Sequence, residues 1–563
     1  MNSGLLRAIA SMRWQFLLVF LIYVLSVWFT TSLNIGDTPV YVDAILRVLG
    51  GGSTRFWDEG GFLSFWEFGH LLWRPLGWLS FNLLEPLMSG IDRRAGVTLT
   101  LLVINWVFGL LAVFSLYALV FQLTQKSWAA FAAATAFIFS NAFLNYVQSG
   151  CSYVPGLGLL LFGLYLMVNA GAETRPSRWK AIVAGAALAG SIGMWFPFFC
   201  AIPAALASPL ILIGFTRTLL RNVIMATLTT ALVTIFIYVV AISALGLGSI
   251  SDVRRWAASS SHSVTENRGA TRIVFGIPRS LINMGTDSVF FKRFLTRDTY
   301  NPVGLFDLGR RSLWKIGFAY LFLLALLLGL YTSTRGRTVL VLFLVNAVPV
   351  VVFAFLFAGG VLERYLPMFP MIFVSFGYCL GAKETNEWIR RIVVAFMIVA
   401  SVVNGIALSN PVVDAEKEAT LARVRDLFSL VNENTRIYVP PQDQLWGSAG
   451  RLKFEQQIAN NFHVDPVAIL GTASVPQWRS DFVRQTLMAW DQKQDVWISR
   501  RFLSRSPKSE WNWTEGEDKR ITWAELNEFF APLETTSSVG GEDGFLLLSP
   551  TENNKRLLGG YAN

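Results

Sequence analysis

The sequence predicts a polytopic α-helical membrane protein with about eleven transmembrane helices and a small C-terminal α/β domain outside the membrane. The 563-residue chain is 53% hydrophobic and 15% charged, whereas about a quarter of the residues in a soluble globular domain are charged. Apolar stretches of about 18–22 residues recur along the chain, and a helix of that length crosses roughly 30 Å of hydrocarbon. The membrane class follows from these two observations together.

Eleven apolar segments are candidate spans, and they organise residues 1–409. They cover about 15–33, 97–121, 128–145, 153–171, 181–197, 199–215, 222–246, 314–331, 338–358, 362–381 and 391–409. The turn between the fifth and the sixth rests on Pro197 and Pro203 in an otherwise apolar stretch. Because consecutive spans alternate in direction, the count decides on which side of the membrane each loop lies.

The basic residues of the short loops orient these spans. With the N-terminus in the cytoplasm, the short cytoplasmic connections contain Arg7 and Arg13; Lys126; Arg175, Arg178 and Lys180; Arg217 and Arg221; Arg335 and Arg337; and Lys383, Arg390 and Arg391. The short external connections near 146–152 and 198–202 contain no Lys or Arg, and the one near 359–364 contains only Arg364. Cytoplasmic loops are enriched in Lys and Arg, so a cytoplasmic N-terminus is expected. The net charge of +10 is then a property of loops that meet lipid and indicates no nucleic-acid partner.

This orientation puts three large segments outside the membrane, namely 34–96, 247–312 and 410–563, and leaves short basic turns inside. Chemistry is therefore expected on the external face. The chain has no GxxxxGK[ST] loop that would bind a triphosphate. Its three cysteines lack the spacing of a disulfide framework or a zinc site.

The first external segment contains the Trp-rich run FLSFWEFGHLLWRPLGWLSFNLLEPLM at 62–88. Pro75 and Gly77 interrupt this run, and its pieces are short for a span. One or two amphipathic helices lying in the interface are therefore expected, and a re-entrant hairpin is the alternative.

The second external segment, 247–312, is strongly basic. Arg272, Arg279 and Lys292 are candidates for binding an anionic ligand, because guanidinium and ammonium groups pair with phosphate. Contact with lipid head groups is the alternative.

The tail from residue 410 to residue 563 has the composition of a soluble domain, and we place the domain boundary between residues 409 and 410. Strand-like runs lie at 436–441, 495–499 and 545–550, and helical patterns at 414–431 and 478–492. This alternation favours a small α/β domain.

Three clusters of polar side chains are expected at the external interface. They are Asp37 with Tyr41 and Asp43; His70 with Arg74, four residues apart and so on one face of a helix; and Glu363, Arg364 and Tyr365 at the external lip of the tenth span. Helix capping is the structural alternative for Asp37, since Pro39 favours the first position of a helix. Interfacial anchoring and a local ion pair are the alternatives for the other two clusters.

These residue types suit the transfer of a sugar from a lipid phosphate. The acceptor hydroxyl loses a proton as it attacks the anomeric carbon, and a carboxylate can take that proton. Arg or Lys side chains can stabilise the departing phosphate. The lipid chain needs an apolar groove between helices, which places such a site at the membrane interface.

The chain resembles the GT-C membrane glycosyltransferases, the superfamily of dolichyl-phosphate-mannose protein mannosyltransferases and of bacterial relatives that use polyprenyl-phosphate sugars. The resemblance rests on GDTPVYVDAIL after the first span, HLLWRPL in the first external loop and LERYLPMFP at a late span. The roughly dozen spans, the large first loop and the external C-terminal domain add to it. It covers about residues 1–409.

The resemblance implies an inverting hexosyltransferase of a bacterial inner membrane, with a polyprenyl-phosphate-linked sugar as donor and a glycan, lipid or protein as acceptor. It implies Asp37 as the base or as an acceptor-binding residue, and Arg364 as a contact of the lipid phosphate. The adjacent Asp-Glu pair of protein mannosyltransferases is absent, because Thr38 follows Asp37, which puts the acceptor in question. Some members bind a divalent cation through loop acids; Asp37 and Asp43 are candidates, but no metal site is assigned because such cations take more oxygen ligands.

Three other functions remain open from the sequence: a transporter or flippase of lipid-linked glycan, a ligase or polymerase of lipid-linked oligosaccharide, and a non-enzymatic assembly protein. A transporter accounts for the spans but less well for the external bulk. Transporters also tend to have paired repeats and charged residues at mid-span, and the spans here are nearly free of charge.

Overall fold

The computed structural model describes most of the chain. The described residues are 3–32, 37–54, 64–172, 177–259, 270–285, 290, 291, 293, 294, 297, 301–357, 359–413, 435–439, 465–468, 478–506, 522–541 and 544–561. The chain divides into two compact units. The first contains Met1–Asn283 and Lys315–Val413, and the second contains Met284–Trp314 and Asp414–Asn563.

The first unit is helical, as the sequence predicts. Its α-helices are α1 (Ser3–Phe29), α2 (Thr38–Leu49), α3 (Trp73–Leu84), α4 (Arg93–Thr124), α5 (Ser127–Ile138), α6 (Asn141–Val147), α7 (Tyr153–Ala172), α8 (Arg178–Met194), α9 (Ile202–Leu212), α10 (Arg217–Leu245), α11 (Ile250–Ala258), α12 (Ala270–Leu281), α14 (Trp314–Tyr331), α15 (Thr334–Leu356), α16 (Phe369–Gly381) and α17 (Glu387–Ala407). The short helix α13 (Leu305–Leu308) belongs to the second unit. Helix is present within each of the eleven predicted spans.

Six helical segments of the described chain are long and apolar enough to cross a membrane. They are Arg93–Thr124, Tyr153–Gly171, Arg217–Leu245, Leu305–Tyr331, Thr334–Leu356 and Glu387–Ala407. The pair α5 and α6, bent by 65° at its break, brings the number to seven if it is one span. The chain is therefore a polytopic integral membrane protein, and the count of eleven spans stays a prediction.

The Trp-rich first loop forms the helix α3, followed by a 3-10 turn at Glu85–Met88. One face of α3 is buried through Trp73, Arg74 and Phe81, while Leu79 and Leu83 are exposed. The predicted helix is thus present within 62–88. Arg74 is the charged residue on this otherwise apolar buried face.

The second unit contains a mixed five-stranded sheet, which confirms the small C-terminal α/β region. Its strands are β1 (Thr435–Val439), β2 (Asp465–Ala468), β3 (Asp495–Ser499), β4 (Thr535–Val539) and β5 (Phe545–Leu548), in the order β2-β1-β3-β5-β4. β1 is parallel to β2 and to β3, whereas β5 is antiparallel to β3 and to β4. The helices α18 (Trp478–Asp491), α19 (Trp523–Phe530) and α20 (Glu552–Gly559) accompany the sheet. The predicted helix at 414–431 lies outside the described residues.

Candidate active site

Asp37 stands at the N-cap position of α2, but its side chain makes no capping hydrogen bond. Its Oδ2 instead accepts hydrogen bonds from the hydroxyl groups of Tyr41, at 3.4 Å, and Tyr153, at 3.3 Å. Tyr41 follows Asp37 by one turn of α2, and Tyr153 begins α7. The capping interpretation of Asp37 is therefore wrong, and the half-buried carboxylate faces a pair of phenols.

The residue after Asp37 anchors the start of α2. The backbone N–H of Gly150 donates to Thr38 Oγ1 at 2.9 Å, and Trp73 Nε1 donates to the Gly150 carbonyl at 2.9 Å. A Cβ atom on Gly150 would lie 2.5 Å from Thr38 Cγ2, so only glycine allows this approach. The start of α2, the start of α3 and the loop before α7 are thereby held together beside Asp37.

His70 extends this network away from Asp37. Its Nε2 lies 3.3 Å from the Tyr41 hydroxyl, and its Nδ1 lies 2.6 Å from Ser152 Oγ and 3.2 Å from the Met194 carbonyl. Burial lowers the pKa of His70 to about 3, against the opposing effect of the Asp37 charge. The imidazole is therefore neutral.

A buried cation and a second carboxylate complete this half of the cluster. The Arg74 guanidinium lies 5.2 Å from the centroid of the Tyr41 ring and donates to the Ser64 carbonyl. Glu67 Oε2 lies 3.8 Å from His70 Nε2, and both side chains are buried. Burial raises the pKa of Tyr41 well above its usual value, and the Asp37 charge adds to this effect. Tyr41 therefore remains a hydrogen-bond donor at neutral pH.

The third predicted cluster forms a buried 3-10 turn at Leu362–Met368. Glu363 Oε2 accepts a hydrogen bond of 2.6 Å from the Tyr146 hydroxyl. The Arg364 guanidinium lies 5.6 Å from the ring centroid of Trp195. The Tyr365 hydroxyl donates to the Gly359 carbonyl at 2.6 Å. Glu363 and Arg364 do not form an ion pair with each other among the contacts described for this turn; each faces an aromatic side chain.

Aromatic rings connect the Asp37 cluster to the turn of Arg364. Tyr153, which donates to Asp37, has its ring centroid 4.8 Å from that of Trp195, and Trp195 lies beside Arg364. Tyr153 also lies 4.8 Å from the ring of Tyr146, the partner of Glu363. The positive charge of Arg364 contributes to lowering the pKa of His70. One member of each predicted cluster therefore lies around Tyr153: Asp37 and His70 directly, and Arg364 through the ring of Trp195.

The basic second external segment, 247–312, brings one of its three candidate residues, Arg279, into contact with the segment before the turn of Arg364. Arg279, in α12, donates through Nη1 to the Gly360 carbonyl at 3.2 Å, just before the turn of Arg364. Arg272 is half-buried, and its Cβ lies 3.9 Å from where a Cβ on Gly360 would be. Lys292 lies outside the described residues.

Asp43 is not brought into the cluster. Its Oδ1 accepts from Arg94 Nη2 at 2.6 Å in an ion pair in which the Asp43 side chain is 54% exposed. Two positions after Tyr41 on a helix, Asp43 points away from the face that carries Tyr41. The structure therefore does not bring the Asp43 carboxylate to Asp37. No group of three His, Cys, Asp or Glu residues is arranged for a metal within the described parts of the chain.

Comparison with solved structures decides the fold. ArnT from Cupriavidus metallidurans, bound to undecaprenyl phosphate, is 9% identical to this chain, with 98% of this chain and 99% of that chain covered and a TM-score of 0.51. The chain has the GT-C fold. The apo oligosaccharyltransferase of Archaeoglobus fulgidus is 13% identical, with 96% of this chain and 75% of that chain covered and a TM-score of 0.48. No family model and no curated protein matches the chain.

The structure adds five polar or aromatic side chains to the cluster that the sequence did not indicate as site residues. They are Glu67, Tyr146, Ser152, Tyr153 and Trp195. Three of them stand in the run NYVQSGCSYV between the third and fourth predicted spans. The density of hydroxyl and amide groups in that run is unusual for a turn between apolar helices. This density is the sequence feature that could have indicated a site there.

Proposed function

We propose that this chain is a glycosyltransferase that moves a hexose from a polyprenyl-phosphate donor to an acceptor hydroxyl. The observation that carries the proposal is the placement of Asp37, a half-buried carboxylate without a capping role, beside a chain of buried rings that leads to Arg364. ArnT, which shares the fold, was solved with undecaprenyl phosphate bound, which supports a lipid phosphate as the leaving group.

The proposed reaction is a single displacement with inversion at the anomeric carbon. The acceptor oxygen forms a bond to the anomeric carbon while its proton passes to the Asp37 carboxylate. The bond between the anomeric carbon and the phosphate oxygen breaks, and its electron pair leaves on the polyprenyl phosphate. Arg364 stabilises the charge that develops on that phosphate.

The neighbouring groups keep Asp37 oriented. The Tyr41 and Tyr153 hydroxyls donate to one oxygen, Oδ2. The other oxygen, Oδ1, is then the proton acceptor. The Nε2 atom of neutral His70 contacts the same Tyr41 hydroxyl and helps to fix its position. We further propose that the site faces the periplasm of a bacterial inner membrane, that the N-terminus is cytoplasmic, and that residues 410–563 form the external domain.

The Asp37→Asn variant tests the assignment, with Asp43→Asn as its matched control. The purified chain in nanodiscs would receive undecaprenyl-phosphate hexoses and a glycolipid extract from its native cells, and release of undecaprenyl phosphate would be measured. We expect Asp37→Asn to lower turnover about 100-fold or more, because general-base catalysis contributes about 10²–10⁴. We expect Asp43→Asn to stay within about threefold of wild type, since its ion pair with Arg94 is exposed. Equal turnover by Asp37→Asn and wild type would refute the mechanism.

A further inference from the structure

An open groove of about 730 Å³ lies in the first unit between α1, α4 and α7, far from the candidate active site. This volume lies within the range of small-molecule sites. Tyr165, one of its lining residues, is 12 positions beyond Tyr153 along α7, a distance of about 18 Å at 1.5 Å per residue. The groove is therefore at the opposite end of the helices from Asp37.

Aromatic side chains form the inner part of the groove. Phe16 of α1 stacks on Phe114 of α4 with ring centroids 4.0 Å apart, and it meets the ring of Tyr117 edge-on at 5.6 Å. Phe20 and Phe121 extend the same wall. A hydrocarbon chain is the occupant that fits such a lining.

Two buried polar atoms of the residues that line the groove have no hydrogen-bond partner within the described part of the chain. They are the hydroxyl group of Tyr117, a residue that is 3% exposed, and Oε1 of Gln122. Gln122 Nε2 donates to the Val168 carbonyl at 3.3 Å, and Oε1 of the same amide is the atom without a partner. An unpaired polar atom away from water is costly, so an occupant with both a hydrogen-bond acceptor and a donor would be stabilising here.

Polarity increases toward the end of the groove. Gln125, which terminates α4, and Asn169 of α7 line this end. The Lys180 ammonium donates to Asn169 Oδ1 at 2.6 Å and so brings a positive charge to the same place. The positive-inside pattern predicts this end to be cytoplasmic, where the leaflet is anionic.

We propose that this groove binds an anionic glycerophospholipid. Its acyl chain lies along the phenylalanine wall, an ester carbonyl accepts from Tyr117, a head-group hydroxyl donates to Gln122 Oε1, and the phosphate lies near Lys180. A polyprenyl phosphate fits less well, because an ionised phosphate monoester offers acceptors but no donor for Gln122 Oε1.

Native mass spectrometry of the delipidated full-length chain tests this proposal. The probes are phosphatidylglycerol, phosphatidylcholine and undecaprenyl phosphate, each added alone and in competition. We expect the phosphatidylglycerol complex to persist at the highest collision energy and to outcompete both other lipids. Equal retention of phosphatidylcholine, or displacement by undecaprenyl phosphate, would overturn the proposal, as would a copurifying polypeptide in place of lipid.

The double variant Tyr117→Phe with Gln122→Leu tests whether the lipid binds in this groove, because it removes the two polar groups proposed to contact the lipid. Because each hydrogen bond contributes about fivefold in affinity, we expect phosphatidylglycerol to bind roughly 25-fold more weakly. Val107→Leu, at a position of the same helix that is 61% exposed, should bind as wild type does. Unchanged phosphatidylglycerol binding by the double variant would contradict the assignment of the lipid to this groove. If the variant does not fold, the competition of the three lipids for the wild-type chain still tests the proposal.

Discussion

Asp37 and Asp43 lie six residues apart in the sequence, yet they occupy opposite environments. Asp37 accepts from two buried phenols, whereas Asp43 pairs with Arg94 at an exposed position. Exposed ion pairs contribute little to stability, while a carboxylate held by fixed donors is preorganised for chemistry. At the residue scale, burial and partners therefore distinguish a proposed base from a surface charge of the same type.

His70 predicts a pH dependence of stability. Its imidazole titrates near 6.5 in an unfolded chain and at about 3 in the folded chain. Between these pH values the unfolded state binds one more proton, so stability rises with pH and is fully present above about 6.5. We expect a loss of roughly 2 kcal/mol in the free energy of unfolding between pH 7 and pH 5 from this group alone.

Chemical unfolding of wild type and His70→Gln across this pH range measures that contribution. Glutamine keeps hydrogen-bonding capacity but does not titrate, so the difference between the two proteins should shrink as the pH falls from 7 to 5. A stability difference that is independent of pH would show that His70 is not held neutral in the folded chain.

At the scale of elements, the position of α2 depends on one backbone donor. The Gly150 N–H donates to Thr38 Oγ1, and both residues are buried. Thr38→Val keeps the shape but leaves that N–H without its acceptor, which costs about 1–3 kcal/mol. We expect a lower melting temperature and, if Asp37 moves with the helix start, a lower turnover.

Thr38→Ser is the matched control for this variant, because it retains the hydroxyl. Its melting temperature should lie much closer to that of wild type. If Thr38→Val and Thr38→Ser have equal stability, the contact between Gly150 and Thr38 does not hold α2 in place.

The sequence predicts a helix or strand well where the pattern of apolar residues itself requires that structure. Long apolar runs predict α4, α10 and α15, since hydrocarbon requires all backbone groups to be bonded within the segment. Short apolar runs flanked by polar or turn-forming residues predict β3 and β5. The sequence does not predict Tyr146, Tyr153 and Trp195 as site residues. They lie between Asp37 and Arg364, which come close to each other only through tertiary packing.

At the scale of the molecule, the charge of the short loops predicts the orientation in the membrane. Cysteine labelling tests this orientation with the variants Ser89→Cys and Lys126→Cys. Ser89 lies in the exposed turn after α3, and Lys126 lies in the exposed connection between α4 and α5. The native cysteines Cys151, Cys200 and Cys379 are buried. A membrane-impermeant maleimide added to intact spheroplasts should label Ser89→Cys, and it should label Lys126→Cys only after permeabilisation. The reverse pattern would place the Asp37 cluster on the cytoplasmic side.

In the proposed mechanism, Asp37 and Arg364 flank the scissile bond of a lipid-phosphate sugar. A cryo-EM structure of the full-length chain with a non-transferable undecaprenyl-phosphate hexose analogue would test this placement. We predict that a phosphate oxygen lies within hydrogen-bond distance of the Arg364 guanidinium and that the anomeric carbon faces Asp37, with room for one hydroxyl between them. A phosphate bound elsewhere, with Asp37 turned away from the sugar, would contradict the account.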